Sequence, residues 1–146
     1  MENTYKILGK EIFSNGNYSI VPIRLKDRFA IMKWRNEQIY HLRQNKPITE
    51  EEQNEYFNKV VVGLFDQKQP DQILFSYLEG QECIGYGGLG HINWADHLAE
   101  ISFIMNTDLE NEYFEFHGIT YLGLIEKVAF EELGVHKTPT YAYDIR

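Results

Sequence analysis

Cysteine is nearly absent from this sequence: Cys83 stands alone among 146 residues. No internal disulfide can form, and a reducing, cytoplasmic setting is the expectation. Positive charge is scarce too. Against 22 Asp and Glu there are 14 Lys and Arg, for a net charge of −8. The basic residues are scattered rather than clustered, which speaks against a nucleic-acid surface. No apolar run approaches the length a bilayer requires, and the opening MENTYKILGKEIF lacks the charged-then-apolar pattern of a leader, so no membrane partner is expected. With only 4 prolines and no repeat or low-complexity stretch, nothing reads as a linker.

What is present is the material of one domain, expected over residues 1–146. It is 43% hydrophobic and 25% charged, and a chain of this length buries about two-thirds of the surface its unfolded form exposes. Ile7 to Phe13, the turn Ser14-Asn15-Gly16-Asn17, and Tyr18 to Arg24 read as a hairpin, because Asn-Gly adopts the positive φ that tight turns need. Pro22 makes its own amide expendable to a ladder or puts its strand at an edge. A helix is expected from about Lys26 to Gln38, burying Phe29, Met32 and Trp34. A second opens at Thr49, where Glu52 completes a capping box, with Tyr56, Phe57, Val60 and Val61 toward the core. ILFSYL, CIGYGGLGHI and HLAEISFIMN form an antiparallel meander. In the last of these strands Ala99, Ile101, Phe103 and Met105 share one face and Leu98, Glu100, Ser102 and Ile104 the other.

An acidic turn from Asn106 precedes a helix expected over Gly118 to Leu133, stopped by Gly134, and TPTYAYDIR closes the chain as a strand. The fold class is α/β (α+β): a mixed, mainly antiparallel twisted sheet flanked by helices, in the order β-β-α-α-β-β-β-α-β. The helical crossover makes the strand ending near Asn106 and the one starting near Lys137 parallel neighbours.

Chemistry points first to Glu100, a mid-strand carboxylate flanked by apolar residues, which suits a general base; the alternative is a strand glutamate facing solvent. Gly85, Gly87, Gly88 and Gly90 weaken a strand unless something approaches its backbone, and either a ligand or a strongly twisted hairpin would account for them. His91 and His97 flank the INWAD turn without a third ligand, so no metal site is expected. There is no Gly-x-Ser-x-Gly nucleophile motif, Walker loop or dinucleotide fingerprint, and GYGGLG is followed by strand rather than helix.

The phrases IMKWRNEQ, AEISFIMN and AFEELGVHKTPTYAYDIR, set in this element order from Tyr18 to Arg146, resemble the GNAT superfamily of acyl-CoA-dependent N-acetyltransferases. Within it the chain looks closest to bacterial enzymes acting on amino-sugar nucleotides or protein N-termini. The resemblance implies acetyl-CoA as cosubstrate. Its pantetheine arm would lie on the amides of Phe103, Ile104 and Met105, and its pyrophosphate on a turn entering the next helix, near His117, Gly118 and Ile119. Glu100 takes the position of the glutamate that deprotonates the acceptor amine. The family's turn carries a leading cation and two small residues; Tyr113-Phe114-Glu115-Phe116-His117-Gly118 matches only at its final glycine. Asp108, Glu110, Glu112 and Glu115 are unexpected company for a pyrophosphate.

An acceptor pocket is expected near Trp34, Arg35, Arg43 and Tyr86, the two arginines meeting the diphosphate of a nucleotide-linked amino sugar. A protein N-terminal amine is the alternative acceptor, and a noncatalytic acyl-CoA-binding or interaction domain the alternative role. Relatives continue past Arg146 with another helix and two strands, so the expectation is an open C-terminal edge suited to a homodimer or strand exchange.

Overall fold

The computed structural model describes residues 4–39, 42, 44–134 and 141–142. Six strands form one sheet in sequential order. They are β1 (Phe13–Asn15), β2 (Tyr18–Pro22), β3 (Ile73–Glu79), β4 (Glu82–Asn93), β5 (Leu98–Met105) and β6 (Tyr141–Ala142). The first five run antiparallel, and β6 pairs parallel with β5 through Ile101↔Tyr141 and Ser102↔Ala142. Two-residue turns close the first hairpin and the β3–β4 hairpin, and each places a glycine at positive φ: Gly16 at 62° and Gly80 at 60°.

The first strand is shorter than expected, starting at Phe13 rather than Ile7. That brevity explains Pro22. The Ile23 amide donates to Leu74 O at 3.1 Å, so the alternation of the ladder turns Pro22 away from β3, toward the side β1 has already left. The proline sits in an interior strand at a place where no amide is needed.

Helix α1 (Arg28–Glu37) follows a 3-10 turn at Leu25–Asp27, fastened by a two-pronged ion pair of Arg24 Nε and Nη2 with Asp27 at 2.6 and 3.0 Å. It buries Ile31, Trp34 and Arg35, while Phe29 and Met32 are only half-buried. Helix α2 (Glu50–Tyr56) starts at the expected capping box: Thr49 Oγ1 accepts from the Glu52 amide and Glu52 Oε1 from the Thr49 amide. It continues through a π-helical segment (Phe57–Val61) into α3 (Val62–Phe65). Phe57, Val61, Leu64 and Phe65 face the core at helical spacing, which leaves Val60 exposed, contrary to expectation.

The larger correction concerns the last helix. Helix α4 spans Thr107–Lys127 and runs on through a π-helical segment (Val128–Glu132) to Gly134, at φ +66. It begins eleven residues before Gly118, the expected start. Asn106 is its N-cap, its side chain accepting from the Asp108 amide at 2.9 Å. Asp108 and Glu110 in the first turn lie where the helix dipole favours negative charge. Two of the four acids that looked out of place on a phosphate turn, Asp108 and Glu110, are helix-start residues.

Cross-strand partners share a face, so Tyr86↔Ile104 belongs to one side of the sheet and Gly87↔Phe103 to the other. Tyr86 meets α1 through Arg35, whereas Phe103 stacks on Tyr121 of α4 with centroids 4.3 Å apart and planes within 12°. Helices α1 and α4 therefore cover opposite faces. Such a buried stack adds about 0.5–1.5 kcal/mol beyond its area burial.

Two glycines of β4, Gly87 and Gly88, are required by the close approach of neighbouring strands. A Cβ on Gly87 would lie 2.1 Å from Ser102 O, and one on Gly88 would lie 1.9 Å from Ile73 O. Gly88→Ala is expected to cost about 3 kcal/mol or more, read as a lowered urea midpoint. Gly118, by contrast, has nothing within 4 Å of its would-be Cβ and sits inside α4, so Gly118→Ala should stabilise by about 0.5–1 kcal/mol. Destabilisation by that second substitution would contradict helix at this position.

Candidate active site

Glu100 lies on the α1 face, opposite Gly90. Beyond that pair the register shifts: three steps along β4 from Gly90 to Asn93 match two along β5 from Glu100 to Leu98. One extra residue makes a β-bulge, a device that re-aims side chains at sites. His91 in the bulge has φ 46, and its Nδ1 lies 2.6 Å from Glu100 Oε2. The imidazole Nδ1–H donates to the carboxylate, which leaves Nε2 as the other proton-exchanging atom. With side-chain exposures of 56% for His91 and 27% for Glu100, the pair is reachable from solvent while the carboxylate is largely sheltered. From the sequence His91 is a surface or hydrogen-bonded histidine rather than a metal ligand, with no partner named. The bulge that brings it to Glu100 has no signature in the residues beyond the neighbouring glycine.

Of the four expected acceptor-site residues, Trp34 and Arg35 lie on α1 and Tyr86 on β4; Arg43 lies outside the described residues. Trp34 is core, 4% exposed. Arg35 is 2% exposed, and it donates from Nη1 to Tyr86 OH at 2.7 Å and from Nε to Gln44 Oε1 at 3.2 Å. This is a correction: Arg35 is a buried strut between α1 and β4 and does not present its guanidinium to a diphosphate. Gln38, which the sequence did not single out, is buried and donates from Nε2 to Met105 O at 2.7 Å and to Thr107 Oγ1 at 3.1 Å. It ties the end of α1 to the point where β5 becomes α4.

Along β5 the amides sort by pleat. The Asn106 amide donates to Ile84 O at 2.9 Å. At alternating positions the ladder to β4 then takes the amides of Ile104 and Ser102, while those of Phe103 and Met105 point away from β4. Of the three expected cofactor amides, two are turned to the β6 side and Ile104 is turned inward. Described pairing with β6 covers Ile101 and Ser102 only. The arrangement suits an extended chain carrying its own carbonyl and amide groups, as a pantetheine arm does.

The expected pyrophosphate turn does not form. Residues 113–119 lie inside α4, where helical hydrogen bonds engage their amides. At the true start of the helix Asn106 accepts from three amides: Asp108 through its side chain, Leu109 and Glu110 through its carbonyl. His117 is buried against the sheet, its Nδ1 2.9 Å from Tyr77 OH. Gly118 follows in the same turn, and Ile119 is exposed.

Cys83 offers no nucleophile. Burial, and then the nearby Asp27, push its thiol up to about 12. Among the described residues no helix is long and apolar enough to cross a membrane.

Comparison with known proteins follows this geometry. The family described as Acetyltransferase (GNAT) domain matches residues 20–141. No curated protein matches the chain. Among solved structures, the spermidine N-acetyltransferase SpeG from Vibrio cholerae in complex with CoA and spermine superposes with a TM-score of 0.65 at 20% identity, over 84% of this chain and 69% of that one. The dodecameric structure of the Vibrio cholerae spermidine N-acetyltransferase in an intermediate state gives 0.63 at 21% identity, over 84% and 67%. A third structure, at TM-score 0.60 and 18% identity, is matched over 86% of this chain but 61% of its own. The chain thus spans about two thirds or less of these proteins, and at such identities the likeness concerns the fold.

Burial lowers the His117 pKa from its ordinary 6.5, so the folded state holds the imidazole neutral where the unfolded chain would take up a proton. That contribution to stability is present above about pH 6.5 and is lost as pH falls through the depressed folded value. Urea midpoints taken from about pH 8 down to about pH 5 should fall in the native protein, and His117→Gln should flatten that dependence.

Proposed function

Because the chain belongs to the acetyltransferase (GNAT) domain family, we propose that it moves an acetyl group from acetyl-CoA to a primary amine, with Glu100 as the proton acceptor. The observation that carries this reading is the sheltered Glu100 carboxylate held by His91 at 2.6 Å, on the strand whose Phe103 and Met105 amides are turned away from the β4 ladder. Acetyl-CoA supplies the activated acyl group as a thioester.

The acceptor arrives as an ammonium ion. Glu100 takes one proton and later releases it to water, which frees the nitrogen lone pair. The nitrogen attacks the thioester carbonyl, and the developing oxyanion is met by the outward amide of Met105 on β5 rather than that of Ile104. Collapse breaks the carbon–sulfur bond, and the second amine proton ends on the departing thiolate. His91 orients the Glu100 carboxylate through its hydrogen bond.

For the acceptor we favour a small amine over a nucleotide-linked amino sugar, because among the described residues of the expected pocket Arg35 is committed to Tyr86 and Gln44. A noncatalytic interaction domain is the second reading, favoured by one observation: helix in place of the pyrophosphate turn.

Two measurements separate these readings. Acetyl-CoA titrated by calorimetry should bind, and Glu100→Gln should bind it equally well while kcat drops by about 100-fold to 10,000-fold. No detectable binding supports the noncatalytic reading, and an unchanged kcat in Glu100→Gln rules out the proposed base.

A further inference from the structure

Tyr113 and Phe116, near the start of α4, are used by neither the fold's main core nor the transfer chemistry. Between them and the neighbouring ends of β2 and β3 lies a cavity of about 460 Å³, lined by Tyr18, Glu79, Leu109, Tyr113, Phe116 and His117. The rings surround the imidazole closely. Tyr18 lies 5.5 Å from Phe116 and 5.3 Å from His117, and Phe116 and Tyr113 lie 5.1 and 6.4 Å from His117. Their planes cross at 70–73°, so the walls present ring faces on more than one side.

Tyr113 and Phe116 are each about half exposed, at 49% and 51%. Two large aromatic side chains at one opening, on a surface otherwise rich in carboxylates, call for an occupant.

Charge selects the kind of occupant. Glu79 is the one carboxylate in the lining, no Lys or Arg is there, and Glu79 makes no ion pair among the described residues. Across the β3–β4 turn it is paired in register with Glu82, and like charges directly opposite destabilise a hairpin. Asp108 and Glu110 stand in the first turn of the same helix. An anion would be repelled from this place, and a neutral apolar ligand would leave Glu79 unmatched. Buried His117, its imidazole kept neutral, adds no opposing charge.

We propose that this cavity binds an organic ammonium ion, an alkylated or methylated amine held over the faces of Tyr18, Tyr113 and Phe116 with Glu79 as counter-charge. The site is separate from the transfer centre. Tyr77, hydrogen-bonded to His117, stacks edge-on against Phe103 on the α4 face, whereas Glu100 and Tyr86 lie on the α1 face. Occupancy therefore does not depend on the transfer reading, and both cations can be held at once on opposite sides of the sheet.

Choline and its uncharged carbon isostere dimethylbutanol, each titrated into the labelled protein and followed by NMR, test the proposal. Choline should produce saturable shifts at Tyr18, Glu79, Tyr113, Phe116 and His117, with the isostere at least about fivefold weaker. Glu79→Gln and Tyr113→Leu, both at exposed positions, should each weaken choline binding by about fivefold, and Glu100→Gln should leave it unchanged. Equal affinity for the isostere, shifts indifferent to the Glu79 and Tyr113 substitutions, or no saturation at millimolar choline overturns it.

Discussion

The two-residue pleat of β5 governs the rest of the molecule, because one strand serves two faces and two neighbours at once. Side chains at 99, 101, 103 and 105 go to one face and those at 98, 100, 102 and 104 to the other. Amides alternate with the same period between β4 and β6. A slip of one residue would put Glu100 under α4, put Phe103 against α1, and exchange the inward and outward amides. The register is held firmly. On one face it is locked by the Phe103–Tyr121 stack; along its edge it is locked by β4 glycines that let the strands approach where any Cβ would collide.

That register gives each helix a different task. Helix α1 contributes polar struts: Arg35 to Tyr86 and Gln38 to Met105 O cross from helix to sheet at 2.7 Å each. A buried arginine of this kind is costly to desolvate and tolerable only because its donors are engaged. It stiffens the wall beside Glu100 rather than reaching for a ligand. Helix α4 contributes aromatic mass, with Tyr121, Phe114 and His117 meeting Phe103 and Tyr77. The outer rim of the same aromatic cluster forms the cavity beside Glu79.

The bulge at His91 departs from this regular scheme, and it falls at the carboxylate with the strongest claim to chemistry. A non-glycine residue at φ 46 is costly for the backbone and persists where surrounding structure determines it. Here the bond from His91 to Glu100 and the continuing β4–β5 ladder do so. In the proposed reaction the same bond keeps the base aimed.

Local features were legible from the residues alone because they are decided within a few positions. The capping box at Thr49, glycines at positive φ in tight turns, the alternation of AEISFIMN and the order of elements all follow from short-range sterics and periodicity. The start of α4 was misjudged for a local reason too: Asn, Asp and Glu signal both turns and helix N-termini. Only the folded sheet could choose, by letting Phe114 and His117 pack as helical neighbours. Tertiary structure alone decided that His91 meets Glu100, that Arg35 is buried, that Ile104 turns its amide inward, and that the β4 glycines accommodate flanking strands. Each depends on what lies across a strand or under a helix, many residues away, and no spacing along the chain encodes that distance.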